Sequence, residues 1–343
     1  MTRLKIIICA ALIAAISVCA PALPQAQAET VTLTYANFPP AVTFPCVQME
    51  RWKEEVEKRT NGQVEIQTFP GSTLLNAKNM FDGVKQGQAD IGCLCMSYQP
   101  GVFPLTTVLE VPVGFSSSVV PSLALWDLYE KYQPAAFNDV KVLAMFTTAP
   151  SNIMSKTPVK SLEDLKGLEL RASGGASKVL EMLGAVPVSM PMSECPEALQ
   201  KGLVKGLLSS LEVLKDFNFA EACRFETITN FQVYPFAVVM NKDSWDNLPD
   251  DVKKVFDDLR REQAQWTGEY MDGHVVESLE WSKKTYDIEV IQLSDADKAK
   301  ALETLAPMVE GWKKNAGEAG VDAEAVFKDM MELKAKYEAE YPQ

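Results

Sequence analysis

A single histidine, His274, serves the whole 343-residue chain. That scarcity excludes a histidine-rich metal centre and argues against acid–base catalysis routed through imidazole. The sequence also lacks a Gly-x-Ser-x-Gly elbow, a Ser-x-x-Lys pair and a Walker-type phosphate loop. Its glycine-rich "SGGAS" has neither the dinucleotide spacing nor a downstream acidic partner. No cofactor, no metal and no catalytic residue is therefore assigned.

Long apolar runs are equally rare. The one that stands out, residues 6–20, follows Arg3 and Lys5 and precedes the small-x-small site Ala26-Gln27-Ala28. That order is a secretory signal peptide over residues 1–28, removed after Ala28, and makes the mature protein an exported, soluble one. Basic residues are in deficit: beyond residue 28 there are 31 against 46 acidic ones, a net charge of −15. Such a balance argues against broad binding to nucleic acid or anionic lipid, but not against one arginine holding an anion in a shielded cleft. Cysteine is sparse, with five beyond the signal segment: Cys46, Cys93, Cys95, Cys195 and Cys223. An odd number leaves at least one unbridged, and no dense disulfide framework is implied. Cys93-x-Cys95 is not a redox Cys-x-x-Cys pair; buried thiols and a bridge from Cys46 to either both remain open.

What the chain does have is alternation. "TVTLTYANF", "QVEIQTFPG" and "ADIGCLCMS" read as strands separated by the helices "CVQMERWKEEVEKRTNG" and "NAKNMFDGVKQGQ". That is the β-α-β pattern of a parallel α/β sheet, and it recurs from "KVLAMFTT" onward. The absence of a Pro- or Ser-rich linker implies two units between which the chain crosses more than once. Residues 250–286 read as a long charged helix, with Gly268 and Gly273 as points of interruption and His274 as an ordinary helix residue. The carboxylate pairs Asp250-Asp251 and Asp257-Asp258 read as solvated.

"DLKGLELRAS" concentrates the functional question. Ser161 caps a turn through Asp164, and Leu168, Leu170 and Ala172 alternate with Glu169, Arg171 and Ser173 as in a half-buried strand. Arg171 then ends a strand against a glycine-rich turn, either as a surface ion pair or as a fork of donors aimed at an anion. Asn37 and Phe38, Tyr98, and Phe231, Tyr234 and Phe236 sit at loop mouths, the makings of an apolar pocket with a few polar anchors.

Five pieces in order, "RWKEEVEKRTNGQVEIQTFPGSTL", "DGVKQGQADIG", "SLEDLKGLELR", "LGAVPVSMPMSECPEALQKGLVKG" and "VVMNKDSWDNLP", carry a resemblance. The chain resembles the solute receptors of TRAP (tripartite ATP-independent periplasmic) transporters, of the dicarboxylate-receptor-like type, from about Thr32 to about Pro249 and more weakly through the helical tail. The resemblance implies an α/β, two-lobed periplasmic binding protein fold with hinge strands and a long helix bridging both lobes. Lobe I would comprise 29–148 plus 235–274, lobe II 149–234 plus 275–330, and 331–343 a helical tail. It also implies a receptor rather than an enzyme, acting as a monomer that hands a small organic acid to the small and large membrane subunits of the transporter. A periplasmic sensor for a signalling receptor would use the same cleft, and an exported enzyme is a further alternative.

By the same resemblance Arg171 binds the ligand carboxylate. The departures from the family pattern matter as much. Ser151 stands where sialic-acid receptors carry a second arginine, and Ser209 where an asparagine faces the ligand, with Lys205 and Leu208 replacing the neighbouring acids. Cys195 replaces a tyrosine, Cys95 a polar strand residue and Met192 an aromatic. With Asn37, Phe38, Asn76, Tyr98, Phe231 and Tyr234, these positions complete the expected lining. A pocket so altered has lost charge and hydrogen-bonding capacity, which disfavours sugar acids and favours a monocarboxylate with an apolar or aromatic body.

Overall fold

The computed structural model describes residues 30–342; the expected signal peptide lies outside them. Two sheets account for the strands. β1 (Val31–Asn37), β2 (Val64–Phe69), β3 (Ile91–Cys95) and β4 (Val140–Thr147) open the chain. β5 (Asn152–Ser155), β6 (Glu169–Ala172), β7 (Val186–Ser189), β8 (Gly206–Ser209) and β9 (Phe225–Ile228) follow, then β10 (Pro235–Asn241) and β11 (Glu289–Gln292). The first sheet, of lobe I, runs β2-β1-β3-β10-β4; the second, of lobe II, runs β11-β9-β5-β8-β6-β7.

Neither sheet is wholly parallel, contrary to the sequence reading. β10 runs antiparallel to β3 and β4, and β5 antiparallel to β8 and β9. The reason is the crossing itself. β4 continues into β5 and β9 into β10 through short extended links, so each sheet receives one strand that arrives from the other lobe. The links are laced together: Ser151 N donates to Gln232 O at 2.8 Å, Phe231 N to Ser151 O at 3.1 Å, and Thr148 N to Tyr234 O at 3.0 Å.

The third crossing is the helix Asp250–Tyr286, unbroken across 37 residues. Gly268 does not interrupt it. A Cβ there would stand 2.5 Å from the Cα of Val119, so the glycine lets this helix lie directly on the start of helix Val119–Tyr132. Asp272 on the same helix accepts from Ser118 N and Val119 N, capping that start. In lobe I, Phe256 packs edge-on to Trp52 with centroids 5.0 Å apart, and Gln263 Nε2 donates to Gln48 O at 2.8 Å. In lobe II, His274 Nε2 meets Asp216 Oδ1 at 2.8 Å, so the histidine anchors the helix to that lobe.

The tail departs from the expected boundaries. Helix Asp295–Leu305 packs on helix Gly175–Met182 of lobe II, but Ala323–Glu340 returns to lie on Val119–Tyr132 of lobe I. Residues 323–330 thus belong with lobe I, and no separate tail begins at 331. Buried Tyr337, bonded to Arg261 and Asp127, holds that helix down. Among the described residues no helix is long and apolar enough to cross a membrane. All five described cysteines are buried free thiols.

Candidate functional site

Arg171 is placed by its strand. β6 lies between β7 and β8, with Arg171 paired to Val188 and Leu207. The short helix Leu162–Leu165 that leads in has the expected Ser161–Asp164 capping box. The strand is not half-buried as its alternation suggested. Leu170, Arg171 and Ala172 are all buried, because the face that would meet water meets lobe I instead.

The guanidinium is held but not neutralised. Nε donates to Met190 O at 3.0 Å, and Nη2 donates to Tyr98 Oη at 3.1 Å and, more weakly, to Ser173 Oγ at 3.4 Å. The rings of Tyr98 and Tyr234 lie 6.0 and 5.9 Å from its central carbon. Nη1 makes no hydrogen bond to another described residue, and no described carboxylate lies within 4.0 Å of the group, though Arg171 is 1% exposed. A buried cation without a counter-ion is costly unless an anion is to be received.

Tyr98 is the complementary half. Its oxygen accepts from Arg171 and from Met192 N at 3.1 Å, so its own proton is not donated within the described structure. Burial pushes the Tyr98 hydroxyl well above its ordinary pKa, against the opposing pull of Arg171, so it remains a donor. Tyr234 is fixed differently: it donates to Leu208 O at 3.0 Å, and burial pushes it up to about 12.

A cavity of about 40 Å³ between the lobes is bounded by Arg171, Tyr98, Tyr234, Phe38, Phe44, Phe236, Cys95, Thr148, Met192, Ser209, Phe217, Glu212 and Asp216, among others. Phe38 meets Tyr98 edge-on at 5.6 Å and stacks on Phe236 at 6.4 Å, and Phe44 meets Phe236 edge-on at 5.4 Å. That volume suits a few waters, not an aromatic acid, so ligand entry needs the lobes apart. Outside it lies a wider opening of about 630 Å³, also bordered by Tyr98. Its lysines Lys78 and Lys178 are already paired to Glu194 and Glu181.

The lobes touch across this mouth. Glu110 of lobe I accepts from Gly175 N at the start of helix Gly175–Met182 and from Ser97 Oγ, both at 2.5 Å. A Cβ on Gly174, whose φ is +54°, would stand 2.8 Å from the Glu110 carboxylate, so the glycine pair makes room for it. Burial raises the Glu110 carboxyl to about 6.

Of the residues expected to line the site, Arg171, Phe38, Cys95, Tyr98, Met192, Ser209 and Tyr234 come together around the cavity. Four do not. Asn37 is consumed locally, donating to Pro45 O at 2.7 Å and accepting from Phe38 N at 3.0 Å. Asn76 is exposed and ties its own turn by accepting from Lys78 N and Asn79 N. Ser151 and Phe231 sit in the hinge ladder, where Ser151 Oγ accepts from Gln232 Nε2 at 3.0 Å.

Sequence reasoning missed Glu212 and Asp216. Their i, i+4 spacing just after the carboxyl end of β8 puts both on one face at the cleft, a signal that could have found them. They add two carboxyl side chains to a lining that was expected to have lost charge. Burial raises the Glu212 carboxyl to about 7.

Residues 40–315 match the profile of bacterial extracellular solute-binding protein, family 7. A TRAP periplasmic solute-binding protein from Desulfovibrio salexigens, solved as an open complex with a symmetry mate's C-terminus in its ligand site, is 65% identical. It superposes with a TM-score of 0.81 over 90% of this chain and 97% of its own. A marine-metagenome TRAP solute-binding protein from an unidentified microbe, specific for aromatic acids and solved with 3-hydroxybenzoate, is 29% identical. Its TM-score is 0.86, over 90% of this chain and 99% of that one. The 2,3-diketo-L-gulonate-binding periplasmic protein of Escherichia coli is 26% identical over 67% of this chain and 71% of its own.

Proposed function

The chain belongs to bacterial extracellular solute-binding protein family 7, and on that premise we propose that it is the periplasmic receptor of a TRAP transporter for a small monocarboxylate with an apolar or aromatic body. The ligand carboxylate takes the open Nη1 side of Arg171 and the free proton of Tyr98. The body of the ligand rests against Phe38, Phe44 and Phe236. The lobes close over it about the links near Ser151 and Gln232, and the receptor, as a monomer, presents the closed form to the small and large membrane subunits. No reaction is assigned to it.

One observation carries this reading: a buried arginine whose guanidinium has no carboxylate within reach among the described residues. Guanidinium gives two parallel donors to a carboxylate and keeps its charge out of water. The relative that takes aromatic acids agrees with the aromatic wall. Another relative binds a keto sugar acid, and the three phenylalanines favour the aromatic case.

Mass spectrometry of ligand retained on purification, followed by thermal-shift screening of carboxylic acids against their amides, tests the proposal. A true ligand at a hundredfold excess over its dissociation constant stabilises by about 2.7 kcal/mol. Acids are expected to raise the melting temperature and their amides to leave it unchanged. Equal shifts from acid and amide would remove the carboxylate from the reading.

A further inference from the structure

The arginine end of the cavity leaves its acidic wall unexplained. Glu212 is 2% exposed and the Asp216 side chain 4%. Both border the same cavity as Arg171. Each has one oxygen occupied: Ser210 Oγ donates to Glu212 Oε1 at 2.8 Å, and His274 Nε2 meets Asp216 Oδ1 at 2.8 Å. The other oxygen of each, Glu212 Oε2 and Asp216 Oδ2, is buried with no hydrogen-bond partner among the described residues.

Anchoring of the bridging helix through His274 accounts for Asp216 Oδ1 and for nothing else here. Buried acceptors are normally satisfied, and two orphans beside a cleft call for a donor. A resident metal does not fit, since the described residues hold no group of three or more metal-ligating side chains. A ligand closed into the cavity displaces water from these oxygens, and a donor on the ligand restores what they lose.

We propose that the ligand carries a hydrogen-bond donor, a hydroxyl or a protonated amine, remote from its carboxylate, and that Glu212 Oε2 and Asp216 Oδ2 receive it. The inference rests on the receptor reading above and narrows it. The solute is then a two-ended molecule, with an anion for Arg171, a donor for the acidic pair and an apolar body between. Phe217, next to Asp216 in the wall, and Phe44 and Phe236 supply the surface for that body.

Calorimetric titration of matched acids tests it. The probes are meta-methyl-, meta-hydroxy- and meta-(aminomethyl)benzoate, with pentanoate and its terminal hydroxy and amino derivatives as an aliphatic set. In the wild type at pH 8, where Glu212 is ionised, a donor-bearing acid should bind about ten- to a hundredfold more tightly than its unsubstituted partner, the range for a hydrogen bond to a charged group. Hydroxyl and amine arms identify which donor the site takes. Glu212→Ala should cut that ratio by about tenfold. Glu212→Gln, of the same shape and neutral, should keep a hydroxyl preference and abolish an amine preference. If the unsubstituted acids bind as tightly as every donor-bearing one, while losing affinity in Arg171→Ala, the inference falls and the receptor reading stands. If no acid binds, or Arg171→Ala is indifferent to all of them, the receptor reading falls and takes the inference with it.

Discussion

Replacing Arg171 by alanine tests the centre of the site, and its magnitude can be worked from the contacts. The carboxylate would lose the Nη1 and Nη2 side of the guanidinium in a cavity that is also lined by the acids Glu212 and Asp216. Truncating one partner of a buried, hydrogen-bonded charge pair costs about 2–5 kcal/mol, or roughly thirty- to several-thousand-fold in affinity. Arg171→Lys keeps the charge but loses the fork, and should recover only part of that. Folding should tolerate the alanine variant, because Met190 O, Tyr98 and Ser173 lose donors that water can replace in an open cleft.

Calorimetry on wild type and Arg171→Ala, each with the acid and with its amide, closes a cycle over protein and ligand. The amide should bind the wild type poorly and lose little more in the variant. The coupling between guanidinium and carboxylate should account for most of the effect. An acid that binds Arg171→Ala within threefold of wild type, with melting unchanged, would show that another group holds the carboxylate.

Other expectations follow from the same geometry. Glu110→Ala removes the contact to Gly175 N across the mouth, so small-angle scattering of the ligand-free variant should give a larger radius, and affinity should fall by about tenfold; an unchanged radius and affinity would show that the contact does not hold the lobes. Glu212 keeps its proton to about pH 7 in the folded chain against an ordinary 4.5. Its contribution to stability is therefore lost as pH rises from 4.5 toward 8, by about 3 kcal/mol in all. Denaturant unfolding near pH 5 and near pH 8 should show a shallower decline in Glu212→Gln than in wild type, and parallel declines would contradict the shift. Gly268→Ala drives a Cβ to 2.5 Å from Val119 Cα, so it should cost about 1–3 kcal/mol and lower the melting temperature by several degrees. A melting temperature equal to wild type would mean that the two helices separate freely.

The sequence made some of this legible and hid the rest for identifiable reasons. Period-two and helical patterns located the strands and the long helix, because burial on one face leaves a trace in composition. Strand direction left none: β5 and β10 have the same apolar character as their neighbours, and their antiparallel placement follows from where the chain crosses. Gly268 looked like a break because helix propensity counts a glycine as a loss, whereas the packed helix uses it for close approach. Arg171 was singled out through its motif, but its strand was misread as half-exposed, since the second lobe that covers it is distant in sequence. Asn37 and Asn76 looked like ligand contacts and instead satisfy nearby backbone, a use that loop asparagines share with binding residues. Glu212 and Asp216 escaped because an i, i+4 acidic pair on a polar-looking turn ordinarily faces water, and only the fold reveals that this one faces a cavity.

Tyr98 shows why binding and closure belong to one set of atoms. It sits on lobe I, yet its oxygen accepts from Arg171 and from Met192 N, both on lobe II. In an open cleft the arginine can hold a carboxylate alone. On the proposed reading, bringing the lobes together adds the Tyr98 donor and the Phe38, Phe44 and Phe236 surfaces to a ligand already on Arg171. Those added contacts exist only in the closed state, and a ligand shifts an equilibrium only by the difference in its free energy between the two states. A solute without a carboxylate never recruits Arg171. A carboxylate without a body gains little from the phenylalanines. Closure therefore reports both ends of the ligand at once, and a receptor that offers only its closed form to the membrane subunits would reject molecules that satisfy either end alone.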